Sequence, residues 1–251
     1  MTTQTFAPAL LTLLGLAMAL PRPAPGQVSP AEPAPATRET PGLRSSQVSI
    51  AIEKDGKRRQ FRATVMARKD DLLTILTAAH CVEPDDEGGP ALLLIDGGII
   101  EGTVASVVRN PAYRPNQPRE IPGPDNAVAR LRFKVEPGPA ADALGSIRPA
   151  LGLANRAYPG PAGRVVAVRM VDGHGVEHAV KAGNHSNPRW LEWGPAYKPI
   201  PGDSGGGVFV LAGSPEPRPI LIGIIVGSDD KGGGASLVSR DMRWIAEELA
   251  R

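Results

Sequence analysis

The chain has 251 residues, enough for one large all-β or α/β domain or two small ones, and for a sizeable core without metals or disulfides. Its 28 basic and 26 acidic side chains leave a formal charge of only +2. The basic residues are scattered, with no run longer than Lys57-Arg58-Arg59, so nucleic acid is excluded as an expected partner.

Residues 7–19, APALLTLLGLAMA, form the one long apolar run. It is too short to span a bilayer but suits the apolar region of a signal peptide, and Ala17-Met18-Ala19 supplies a small-x-small cleavage pattern. The n-region MTTQTF carries no Lys or Arg, which leaves an uncleaved N-terminal anchor as the alternative. Residues 1–19 are therefore expected to direct export, to the outside or to a periplasm or cell envelope. Residues 20–45 are dense in Pro and Ala without apolar period, as in an extended linker. Cys81 is the single cysteine, so no internal disulfide can form.

From residue 47 the texture changes to short β-type runs. QVSIAIEKDGKRRQFRATVMA predicts two strands around Asp55-Gly56, and LLTILTAAH a third. PALLLIDGGIIEGTVASVVR predicts another pair around Asp96-Gly97-Gly98, and NAVARLRF alternates likewise. Beyond a Pro/Gly/Ala-rich stretch at 136–146, GRVVAVRMVDGHGVEHAVKAG reads as a hairpin, followed by strands in GGGVFVLAG, RPILIGIIVGS and ASLVS. The C-terminal SRDMRWIAEELAR reads as a helix, with Ser239 placed to cap it and Met242, Ile245 and Leu249 on one face. No internal repeat is visible. Many short strands in two groups with one terminal helix indicate a pair of packed β-barrels.

Four histidines could serve as a base: His80, His174, His178 and His185. His80 follows the apolar run LLTIL and should end a buried strand. His174 and His178 fall in turn sequence rather than on a helix, so solvated hairpin histidines are expected there in place of a metal site. PGDSGGG at 201–207 matches G-x-S-x-G, but the elbow of that name orders its triad Ser, acid, His, and no histidine follows Ser204.

The order His, Asp, Ser remains. TAAHC at 77–81, PDNAVARL at 124–131 and PGDSGGG at 201–207 resemble the three catalytic motifs of the trypsin/chymotrypsin-like serine proteases. VVRNPAY at 107–113, LIGIIVGS at 221–228 and SLVSRDMRWI at 236–245 look like the family's intervening segments, and the resemblance covers about residues 47–251. It implies an all-β fold of two six-stranded antiparallel β-barrels with a C-terminal α-helix. The barrels are expected at about 46–136 and 147–238 within a 46–251 domain, and the helix at about 240–250. It further implies a serine endopeptidase acting on a protein or peptide without metal or organic cofactor. His80 would be the base, Asp125 its orienting carboxylate and Ser204 the nucleophile, with an oxyanion hole from the Gly202 and Ser204 amides. Glycines around the serine fit that role, because they tolerate positive φ and can turn amides toward a substrate carbonyl. Asp203 would be a structural partner of the loop. A catalytically silent binding or scaffold domain on the same fold is the alternative.

Three departures from the family pattern stand out. SSQVSIAIEK lacks an IVGG-like activation motif, so Asp203 needs a partner other than a new ammonium, and no activating cut is expected. The disulfide beside the catalytic histidine has only Cys81 as one half. The resemblance places Lys198 at the base of the substrate pocket, with walls from Val226, Gly227, Ser228 and Gly233. That lysine predicts a preference for acidic or small polar side chains.

Overall fold

The computed structural model describes residues 40–95, 98–115, 123–150, 152–154, 164–183, 189–213 and 216–251. The expected export signal, most of the Pro/Ala-rich segment, the turn at Asp96-Gly97 and His185 lie outside the described residues.

Turn chemistry and apolar alternation divide the described residues into twelve strands. The first six are β1 (Gln47–Lys54), β2 (Lys57–Lys69), β3 (Leu72–Thr77), β4 (Pro90–Ile95), β5 (Gly98–Arg109) and β6 (Ala127–Arg132). The second six are β7 (Val165–Val171), β8 (Glu177–Gly183), β9 (Trp190–Trp193), β10 (Gly207–Ala212), β11 (Arg218–Ser228) and β12 (Gly233–Leu237). Each set closes into an antiparallel barrel, in the orders β1-β2-β3-β6-β5-β4 and β7-β8-β9-β12-β11-β10. The two orders are the same, so the fold repeats a topology that the sequence does not. Two closed six-stranded antiparallel barrels with a C-terminal helix fit a trypsin-like double-barrel fold, as expected. Closure leaves no unpaired sheet edge, which removes the main aggregation hazard of an all-β chain.

The first core holds Ile50, Phe61, Ile75, Leu93, Leu131 and Phe133 and continues into Phe209, Ile224, Val238 and Ile245 from the second half of the chain. The second core is built on Met170, Leu191, Trp193, Val208, Ile222 and Leu237. At about 25 cal/mol per Å² of apolar surface removed from water, such cores dominate folding.

Three elements differ from expectation. A short helix, α1 (Pro139–Ser146), lies within the stretch read as Pro/Gly/Ala-rich, with Pro139 in its first turn and Leu144 buried. Strand β9, in the sequence WLEW, carries no alternation long enough to reveal it. The C-terminal helix α2 (Met242–Leu249) begins later than expected and has Asp241 at its N-cap position; Ser239 lies in a preceding 3₁₀ turn, Val238–Arg240. Asp241 makes no side-chain capping bond because its carboxylate accepts from Asn126 Nδ2 and Arg189 Nη1. Ile245 is fully buried, as the apolar face requires.

Residues 40–46, the end of the Pro/Ala-rich segment, pack on the barrels. Leu43 is fully buried, and Thr40 donates its N–H and hydroxyl to the two carboxylate oxygens of Glu177 on β8.

Candidate active site

His80 sits in a 3₁₀ turn, Ala79–Cys81, immediately after β3. Asp125 lies just ahead of β6, which pairs with β3, so the ladder Thr77↔Ala127 brings the two residues together. The contact is double. Asp125 Oδ1 accepts the His80 backbone N–H at 3.0 Å, and Oδ2 lies 2.7 Å from His80 Nδ1. Asp125 is itself buried, and its own N–H donates to Ser236 Oγ on β12. Burial disfavours the imidazolium of His80, but the Asp125 carboxylate and the adjoining Cys81 together outweigh it and raise the histidine pKa above its ordinary 6.5. Cys81 is buried and free, so packing and the hydrogen bonds to Asp125, in place of a disulfide, hold this turn.

Ser204 occupies the loop before β10, and both barrels hold that loop. The Arg62 N–H of β2 donates to the Ser204 carbonyl, and Thr77 Oγ1 donates to the Arg62 carbonyl. The Gly205 N–H donates to the Ile225 carbonyl of β11. Gly205 has φ +89°, and a Cβ there would overlap the Arg62 carbonyl oxygen and Thr77 Oγ1. Only glycine fits so close to the strand that ends three residues before His80. Gly202 has φ +101°, which turns its peptide in a manner that L side chains resist. Among the described residues the Gly202 and Ser204 amides have no hydrogen-bond acceptor.

Ser204 Oγ donates to the Val226 carbonyl at 3.3 Å, and among the described residues no hydrogen bond joins it to His80. Val226 is the bulged residue where the β11–β12 register shifts between Ile225 and Gly227. A bulge redirects a carbonyl out of the ladder, which frees this one for the serine.

Asp203 is almost wholly buried. Oδ1 accepts the Gly173 N–H at 2.7 Å, while Oδ2 accepts the Tyr197 hydroxyl at 2.8 Å and the Ile200 N–H at 2.9 Å. These neutral donors satisfy the acid without a chain-terminal ammonium. Tyr197, Gly173 and Ser236 are residues that sequence reasoning missed.

A cavity of about 660 Å³ opens at one end of the second barrel, lined by Val226, Gly227, Ser228 and Gly233 together with Trp190 and Trp193. Lys198 lies outside this lining and is exposed on the segment before the buried Pro199. The charges that do line the cavity are two of each sign, Lys181, Lys231, Glu192 and Asp229, all on exposed residues. The acidic preference drawn from Lys198 therefore loses its basis, because no lysine at that position faces the cavity. Of the hairpin histidines, His174 is exposed, whereas His178 is half-buried, 2.7 Å from Asp172 Oδ2 and stacked on Tyr197.

The chain matches no protein-family model, and no curated protein is similar enough to match it.

Proposed function

We propose that the chain is an exported serine endopeptidase that cleaves peptide bonds through an acyl-enzyme. The observation that carries this reading is the doubly bonded His80–Asp125 pair beside a loop that offers Ser204 and two unpartnered amides. With Nδ1–H donated to Asp125, His80 Nε2 is free to accept a proton. A rotation about χ1 takes Ser204 Oγ from the Val226 carbonyl toward that nitrogen. Oγ then adds to the scissile carbonyl, its proton passes to Nε2, and the oxyanion is met by the Gly202 and Ser204 N–H groups. Collapse breaks the C–N bond, the amine leaves with the proton from His80, and water repeats the sequence to release the acid and restore the serine. The two-tryptophan cavity that shares Val226 with the serine is the expected seat of a substrate side chain. Its apolar walls favour a large apolar group over an acidic one.

A catalytically silent binding domain is the second reading, and the hydrogen bond from Ser204 to Val226 in place of His80 is what favours it. A fluorophosphonate probe separates the two. The expected result is covalent labelling of the wild-type chain and none of Ser204→Ala. Folded wild-type protein that stays unlabelled would overturn the peptidase reading. On a peptide library the active protein, not exposed to the probe, should cut beside large apolar residues, and a strong acidic preference would contradict the cavity assignment.

A further inference from the structure

Asp203 lies between Gly202 and Ser204, the two residues whose amides the peptidase reading assigns to the oxyanion, so what fixes its carboxylate bears on both. Its own backbone closes the same turn: Asp203 N–H donates to the Ile200 carbonyl, and Gly206 N–H to the Asp203 carbonyl. The side chain points inward to donors that belong to two other segments.

The first donor is Tyr197. Its ring is held between His178, with centroids 4.2 Å apart and planes 22° apart, and Trp193 at 6.3 Å and 12°. Its carbonyl accepts the Trp193 indole N–H at 2.8 Å. Burial and the neighbouring Asp203 both raise the Tyr197 pKa, so the hydroxyl keeps its proton and remains a donor. The second donor is Gly173, in the turn between β7 and β8. Asp172 Oδ1 accepts the N–H groups of His174 and Val176 at 2.9 Å, and the Gly175 N–H closes on the Asp172 carbonyl. That turn aims the Gly173 N–H at Asp203. The other Asp172 oxygen lies 2.7 Å from His178 Nε2, and His178 is the residue stacked on Tyr197. The two donors are thus braced against each other through one histidine.

We propose that Tyr197 and the Asp172–Val176 turn, coupled through His178, are the positioning elements that hold the oxyanion loop in its working shape without any activating cleavage. This rests on the peptidase reading. It gives the Asp172–His178 pair a role that neither catalysis nor metal binding supplies. Three neutral donors converge on one buried carboxylate, and the charge of the buried Arg62 guanidinium acts on the same Asp203 and on Asp172. Hydrogen bonds to an ionised group are about twice as strong as those between neutral groups, so the donors fix where that carboxylate sits.

Tyr197→Phe tests the proposal, because it deletes the hydroxyl and keeps the stacked ring. With active wild-type enzyme, kcat should fall about ten- to a hundredfold with KM unchanged. Affinity for a peptide aldehyde, whose adduct oxygen occupies the oxyanion position, should fall by the same factor. Backbone hydrogen exchange at Asp203, Gly205 and Gly206 should quicken about tenfold while the β8 amides stay as in wild type. Gly173→Ala is the second variant. Its Cβ would stand 3.3 Å from Asp203 Oδ1, and it should produce the same pattern more weakly. Exchange at 203–206 that matches wild type in both variants overturns the proposal, as does an unchanged kcat in Tyr197→Phe. A wild-type protein that takes no fluorophosphonate sinks the peptidase reading instead. The exchange measurement then still decides whether Tyr197 holds the loop.

Discussion

Asp125 grips both the backbone and the ring of one histidine, and the ring contact sets the pH at which that histidine can act. His80 is raised above 6.5 because the carboxylate at Nδ1, together with Cys81, favours the charged ring more than burial disfavours it. A base works only when deprotonated, so a raised pKa delays activity to higher pH. The rising limb of kcat/KM, which reports the free enzyme, is therefore expected to have its midpoint above pH 7. Asp125→Asn removes the counter-charge, so the limb should move to lower pH while turnover falls about 10⁴-fold. A wild-type midpoint at or below 6.5 would contradict this account. His80, Asp125 and Ser204 were legible in the sequence because each stands in a short contiguous motif. Tyr197, Gly173 and Ser236 were not. Ser236 meets Asp125 from 111 residues away, and Gly173 meets Asp203 from 30, so no local pattern records either bond.

Strand β10 shows how a local packing demand selects a residue. It opens at Gly207, the last glycine of PGDSGGG. Here the Gly207 N–H donates to Gln47 Oε1 at 2.8 Å, and Gln47 Nε2 donates to Thr64 Oγ1 at 2.9 Å, all in the buried seam between the barrels. Atoms added at Gly207 would run into the Phe209 ring and Thr64 Oγ1. Gly207→Pro should cost about 3 kcal/mol, from an orphaned Gln47 oxygen and overpacking together, and lower Tm by about 10 °C. A thermal melt within a degree of wild type would show that the seam tolerates the ring. The hairpins were readable because Asp-Gly turns separate long alternating runs, as at Asp55-Gly56. The strand β9 and helix α1 were hidden for opposite reasons. Four residues of WLEW carry too little periodicity to register. In α1 the Pro and Gly residues that suggested a loop supply a helix start, with Gly138 at the N-cap and Pro139 in the first turn.

At the scale of the whole molecule, the proposed chemistry divides between two barrels, each with its own core. His80 and Asp125 come from the first and Ser204 from the second, so the site exists only while the barrels stay docked. The docking is polar and apolar at once. Arg62, Gln47 and Asp125 of the first half bond Ser204, Gly207 and Ser236 of the second, and Phe209 and Ile224 extend the first core across the boundary. The helix α2 then returns from the second barrel to the first, where Ile245 enters the core and Arg130 donates to the Glu248 carbonyl. With no disulfide available, that helix is the strap. Calorimetry of the wild-type protein should therefore show one transition, with calorimetric and van't Hoff enthalpies in agreement. Ile245→Ala should lose about 2–5 kcal/mol and split or broaden the transition, because it frees the strap without touching either barrel's own ladder. At a temperature where it remains folded, its labelling by fluorophosphonate should match wild type. Two resolved transitions already in wild-type protein would mean that the barrels unfold independently. The shared core would then contribute packing without cooperativity.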